Sequence, residues 1–173
     1  MTVSFLQIGS NDGISQDPLR EFIVRHPTWS GCFVEPLPHL FEKLKRNYGY
    51  LRRKNLRYEN AAVSDSASLS YLFRIKSEYH SEFPSFVDQI ASFKRSYLTA
   101  VFPNHAQIDD KTERVHVRSL PITGLAATFQ TTGIDILHLD VEGYEAVILK
   151  ALPIQPISSG DHHLRKRTSF AGR

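Results

Sequence analysis

The sequence predicts an α/β domain built on a mostly parallel sheet with helices on both faces. Three observations carry that expectation. Runs such as "CFV" and "GIDILHLD" are apolar on successive residues, as strands buried on both faces require. Segments with apolar residues at helical spacing alternate with those runs. Glycine, small polar or acidic residues follow the strands, where an open α/β sheet gathers its ligand-binding turns.

Taken in order, Val3 to Ile8 reads as a short apolar strand ending at Gly9. Asp17-Pro18 then supplies an N-cap followed by proline at the first helical position, and Leu19, Phe22 and Ile23 fall on one helical face up to about Val24. Cys32, Phe33 and Val34 form a second buried strand that stops at Glu35-Pro36. The next helix begins near Pro38, with Leu40, Phe41, Leu44 and Tyr48 at helical spacing and Glu42 set to pair with Arg46. Arg57 to Val63 is a third strand, interrupted at Asn60, and "SLSYLFRI" a fourth, antiparallel one. Lys76 to Lys111 is irregular and rich in aromatics, Ser and His, with one helix predicted from about Ser85 to Val101; it reads as an insertion over the site. "RVHVRSL" is a strand, "ITGLAATF" a short helix, "GIDILHLD" a strand, and Tyr144 to about Leu152 the closing helix. The winding this implies is Rossmann-like.

Composition narrows the function classes. The 173 residues make one domain, read as spanning 1–152, and no apolar run approaches the roughly 20 residues that cross a bilayer, so no membrane role is expected. The opening residues lack the basic and apolar regions of a secretory signal, which predicts a cytoplasmic protein. Cys32 is the single cysteine, which excludes disulfide stapling and multi-cysteine metal sites and reads as a buried, inert thiol. A net charge of +3 is carried by scattered cations, and without a recognition motif beside them no nucleic-acid partner is expected. His162 and His163 lack a third partner, so no metal is expected there.

The residues just past the strands are the ones to read for chemistry: Gly9 to Gly13, Glu35, Ser64-Asp65, and Asp140, Glu142 and Gly143. Glu35 ends the second strand about 20 residues past the glycine turn, where an acid can accept hydrogen bonds from both ribose hydroxyls of an adenosine cofactor. Dinucleotide sites use G-x-G-x-x-G, whose middle glycine lets the backbone touch the pyrophosphate. Here the pattern is G-S-N-D-G, with Asn11 at that position. This weighs against a nicotinamide-dependent oxidoreductase and for S-adenosylmethionine, whose ammonium or carboxylate Asn11 and Asp12 could contact.

The blocks "FLQIGSNDG", "DPLREFI", "GCFVEPLPHLFEKLKRNY", "ENAAVSD" and "IDILHLDVEGYEAVILK", in that order, resemble the FkbM family of S-adenosylmethionine-dependent methyltransferases from about Phe5 to Leu152. The resemblance implies a class I methyltransferase fold and a small hydroxylated acceptor, such as a sugar or polyketide, methylated on oxygen. It also implies that Gly9, Asn11 and Gly13, with Gln7 and Ser10 beside them, line the methionine end of the cofactor. Glu35 would hold the ribose, and Ala61, Ala62 and Ser64 would neighbour the adenine. Asp140 and Glu142 would act on the acceptor hydroxyl, while Glu145 serves the first turn of the last helix. His80 and His105, in the insertion, are further candidate bases; His116 and His138, inside strands, read as structural.

The family's sheet is expected to continue past Leu152, whereas residues 153–173 read as a basic tail without stable structure. A fold lacking its C-terminal strands would leave an open apolar edge on the last strand. Truncation is the favoured explanation, with self-association through that edge as the other. A truncated chain could survive as a non-catalytic remnant acting at most as a binding module.

Overall fold

The computed structural model describes residues 3–65, 69–105, 107–128 and 133–152. Along them run β1 (Ser4–Ile8), α1 (Arg20–Arg25), β2 (Ser30–Val34), α2 (Pro38–Gly49), β3 (Leu56–Glu59), β4 (Ala62–Ser64), β5 (Leu69–Ile75), α3 (Arg95–Val101), β6 (Thr112–Pro121), α4 (Ile122–Thr128), β7 (Ile136–Leu139) and α5 (Glu145–Ala151). Short 3-10 helices lie at Ser77–Glu82 and Val87–Gln89. No helix among the described residues is long and apolar enough to cross a membrane.

The main sheet has the order β3-β2-β1-β7, with every pair parallel. Winding proceeds outward from β1 to β3 and then returns to the other side of β1. The reversal opens a crevice at the carboxyl ends of β1 and β7, where ligands of such sheets sit. Alternation along β1 and β2 explains why both read as unbroken apolar runs. Phe5 and Phe33 pack against Ile23 of α1 and Leu44 and Tyr48 of α2. Leu6, Ile8, Cys32 and Val34 face the opposite way, against Ile122 and Leu125 of α4 and Ile148 of α5. Helices therefore cover both faces, as the sequence predicts.

A second sheet, β4-β6-β5, pairs β4 with β6 in parallel and β5 with β6 antiparallel. The insertion after β5 has its own apolar cluster of Ile75, Phe83, Val87, Ile90, Leu98, Phe102 and Ile108, which lets a segment without regular periodicity hold a fixed shape.

Four expectations are corrected. The strand read over 57–63 divides at Asn60, whose amide donates to the carbonyls of Glu35 (2.8 Å) and Pro36 (3.1 Å) and pins the chain out of the ladder. β3 consequently joins β2, and β4 joins β6. The helix read over 85–101 is confined to α3, because Ser92 exchanges backbone hydrogen bonds with Phe73 at the edge of β5. The first helix begins at Arg20: Asp17 still takes the Leu19 amide (2.9 Å), but Pro18 and Leu19 form a turn. Phe22 is exposed on that helix and stacks on Trp29. Glu42 pairs with Lys45 at 2.7 Å rather than with Arg46, an exposed contact of little energetic weight. The expected tail and the missing strands after Leu152 lie outside the described residues.

Candidate functional site

Gly9 and Ser10 both donate their amides to Val34 O, at 2.9 and 3.0 Å, folding the turn after β1 back over the end of β2. Gly9 has φ 77°, and a Cβ there would overlap the Asp140 carbonyl and stand 2.8 Å from its carbon. Only glycine lets the turns after β1 and β7 meet this closely. Asn11 follows in the left-handed region at φ 51°. Its amide donates to Glu35 Oε2 (2.9 Å), and its side-chain Nδ2 to Gln89 Oε1 (2.8 Å). Asp12 is occupied within the turn, accepting from the amides of Ile14 (2.9 Å) and Ser15 (2.7 Å).

Glu35 is 4 % exposed. Its second oxygen accepts from the Leu37 amide at 2.9 Å, so two backbone donors fix the plane of the carboxylate. Burial pushes its pKa up to about 7; the two amides oppose that rise, and the charges of Asp140 and Asp12 add to it. A buried acid poised near neutrality, facing a cleft, is a recurrent mark of a functional site.

The cleft encloses about 580 Å³ of space when its open mouth is included. Ala61, Ala62, Leu72 and Phe93 give it apolar walls, and Glu35, Asp140 and Glu142 give it carboxylates. Of the residues predicted from sequence, Gly9, Asn11, Glu35, Ala61, Ala62, Asp140 and Glu142 come together here.

Gln7, Ser10, Gly13 and Ser64 lie outside the lining, each for a packing reason. Gln7 is turned beneath the turn, its Nε2 donating to Asp17 Oδ1 (3.0 Å). Ser10 bonds Gln7 O (2.9 Å) and the Val34 amide (3.2 Å) through its hydroxyl. At Gly13 a Cβ would come 2.6 Å from Leu44 Cδ1, so this glycine serves the approach of α2. Ser64 is 2.6 Å from Ser119, Oγ to Oγ, joining β4 to β6.

After β7 the chain makes a tight turn with Glu142 at φ 55° and Gly143 at φ 93°. Glu145, the first residue of α5, accepts from the amides of Val141 (3.1 Å) and Gly143 (3.4 Å) and holds that turn in place. His80 bonds Ile75 O (3.1 Å) and His105 stacks on Phe83, and neither lines the cleft. His116 is exposed on β6, while His138 Nδ1 is buried in β7 without a partner among the described residues. Sequence reasoning missed Gln89, Ala91 and Phe93, which the insertion delivers to the cleft; the one signal for them was the placement of that segment over the site.

A parallel sheet that reverses beside β1, with a glycine-bounded turn and a buried acid at adjoining strand ends, defines a Rossmann-like fold. The family model of the methyltransferase FkbM domain matches residues 7–167, and the chain belongs to that family. Neither a curated protein nor a solved structure matches it.

Proposed function

We propose that the chain is an S-adenosylmethionine-dependent methyltransferase acting on a hydroxyl oxygen of a small acceptor, such as a sugar or polyketide. The observation that carries this reading is the charge of the cleft. Its lining includes Glu35, Asp140 and Glu142 and, among the described residues, no Lys, Arg or His. A pyrophosphate would face three carboxylates, whereas a sulfonium bearing an ammonium group meets complementary charge.

The residues present fit that cofactor. Glu35 is oriented by two amides and retains lone pairs for a ribose diol. Ala61, Ala62 and Leu72 offer an apolar slot for a purine, and Asp140 and Glu142 lie toward the end where the reversal of the sheet brings β1 and β7 together. When bound, the cofactor supplies an electrophilic methyl group. The chain's part is to hold the acceptor hydroxyl in line with that methyl and to receive its proton. Positioning of this kind can account for about 7–11 kcal/mol of a barrier.

Calorimetric titration with S-adenosylmethionine tests the reading. Binding that is lost or strongly weakened by Glu35→Ala supports it. A folded chain that does not bind, or that binds equally well after the substitution, refutes the ribose role. Tighter binding of a nicotinamide dinucleotide would favour an oxidoreductase instead.

A further inference from the structure

Gln89 ends a short 3-10 helix of the insertion and lines the cleft beside Asn11. The orientation of its amide follows from a chain of bonds that starts on the backbone. The Asp12 N–H can only donate, so the Asn11 atom it meets at 2.7 Å is the acceptor Oδ1. Asn11 therefore turns Nδ2 toward Gln89, and the Gln89 atom that receives it at 2.8 Å is Oε1. Nε2 of Gln89 is left without a hydrogen-bond partner among the described residues.

The rest of the cleft gives that donor a task. Asn11 and Gln89 are the two lining side chains that can donate, and the Asn11 amide is directed at Gln89. The other polar side chains of the lining are the carboxylates of Glu35, Asp140 and Glu142. Asn11 also links Gln89 to Glu35, since its own N–H donates to Glu35 Oε2 at 2.9 Å. The donor therefore stands on the side of the cleft where Glu35 is read as the partner of a ribose diol. Each hydroxyl of a diol spends its single hydrogen on the acid, and its oxygen still offers lone pairs that a carboxylate cannot serve.

We propose that Gln89 is a cofactor-binding residue whose Nε2 donates to a ribose hydroxyl oxygen of the adenosine moiety, so that the diol is held between an acceptor, Glu35, and a donor, Gln89. This role rests on the S-adenosylmethionine reading above. The fold supplies the donor already in place. Val87 and Ile90, which flank Gln89, are buried in the apolar cluster of the insertion, and the Gln89 N–H donates to Phe86 O at 2.9 Å. Further along the same segment, Ser92 Oγ donates to Glu142 O at 2.7 Å and Lys94 Nζ to Gly143 O at 3.0 Å. The ring of Tyr97 packs over Gly143 so closely that a Cβ there would stand 2.9 Å from Tyr97 Cδ2. The segment is thus fastened to both rims of the crevice, and little ordering is left for a ligand to impose.

The test is calorimetric titration of the full chain with adenosine, 2′-deoxyadenosine and 3′-deoxyadenosine at about pH 9, where Glu35 stays ionised. Gln89→Glu keeps an oxygen for the Asn11 amide and replaces the donor by a second oxygen. It is expected to weaken adenosine binding about fivefold or more. The loss should shrink to within about twofold for the deoxyadenosine that lacks the contacted hydroxyl, because that ligand has no bond left to lose.

Adenosine affinity within about twofold of wild type in folded Gln89→Glu overturns the role, including where S-adenosylmethionine alone is weakened and the donor serves the methionine carboxylate instead. A loss of equal size for adenosine and both deoxyadenosines overturns it too, since the effect then runs through the purine or the turn. Where Gln89→Glu does not fold, Gln89→Met is read in its place, and unchanged adenosine affinity overturns the role equally. A wild-type chain that binds no adenosine removes the ribose reading of the cleft and this role with it. Binding that is lost in Glu35→Ala yet indifferent to Gln89→Glu removes the role of Gln89 alone.

Discussion

Glu35 makes cofactor affinity depend on pH in a calculable way. Burial lifts its pKa from the ordinary 4.5 to about 7. The ionised carboxylate accepts hydrogen bonds from a ribose diol, whereas the protonated form loses an acceptor and carries a proton with no place to go. Affinity should therefore follow the ionised fraction, about nine tenths at pH 8 and about one tenth at pH 6. The dissociation constant for adenosine is expected to rise about tenfold on lowering the pH from 8 to 6. Adenosine suits the assay because it carries the diol and no group that titrates near 7. At pH 7, binding should release about half a proton, read by calorimetry in buffers of different ionisation enthalpy. Glu35→Gln should abolish the pH dependence and weaken binding at pH 8 by about 1.5–3 kcal/mol, roughly 10- to 150-fold. Adenosine affinity that is flat between pH 6 and 8 in the folded wild-type chain would refute the reasoning.

Three further outcomes follow from the packing. Gly9→Ala drives a methyl group into the Asp140 carbonyl at a positive φ, and urea unfolding should show a loss of at least about 3 kcal/mol or no folded state at all. Asp17→Ala strips partners from the buried Gln7 amide and Tyr48 hydroxyl and from the Leu19 amide; the same unfolding measurement should report a loss of about 3 kcal/mol. The thiol of Cys32 is buried and pushed up to about 12, so a thiol reagent at pH 8 should find no reactive group in the native chain and one after unfolding.

The sheet was legible because its signals are local. Cys32 to Val34 and the run around Leu137 declare burial on both faces by composition alone, and Glu35 is found by its position at a strand end. Strand alternation separates Gln7 from the cleft-lining Ile8: a side chain one step away along β1 points to the side of Asp17 and Phe5. Proximity in sequence to the glycine turn could not reveal that. Ser64, next to the cleft's Val63, and Gly13, just past its Asn11, likewise lie close to cleft residues in the chain yet serve β6 and α2. Gln89, Phe93 and Tyr97 were illegible for another reason. Their partners are Asn11, 78 residues away, and the turn at Gly143 and Tyr144, and no periodicity in the insertion encodes such contacts.

The grip of the insertion also bears on how this domain can change. Gln89 braces Asn11 on one side of the crevice, while Ser92, Lys94 and Tyr97 brace the Glu142–Gly143 turn on the other. A foreign loop exchanged for residues 76–111 would strip both braces in a single stroke. Any such graft must bring its own partners for an asparagine and a glutamate, each held at positive φ. The two rims of the crevice are thus inherited through one segment, and they cannot be retuned one at a time.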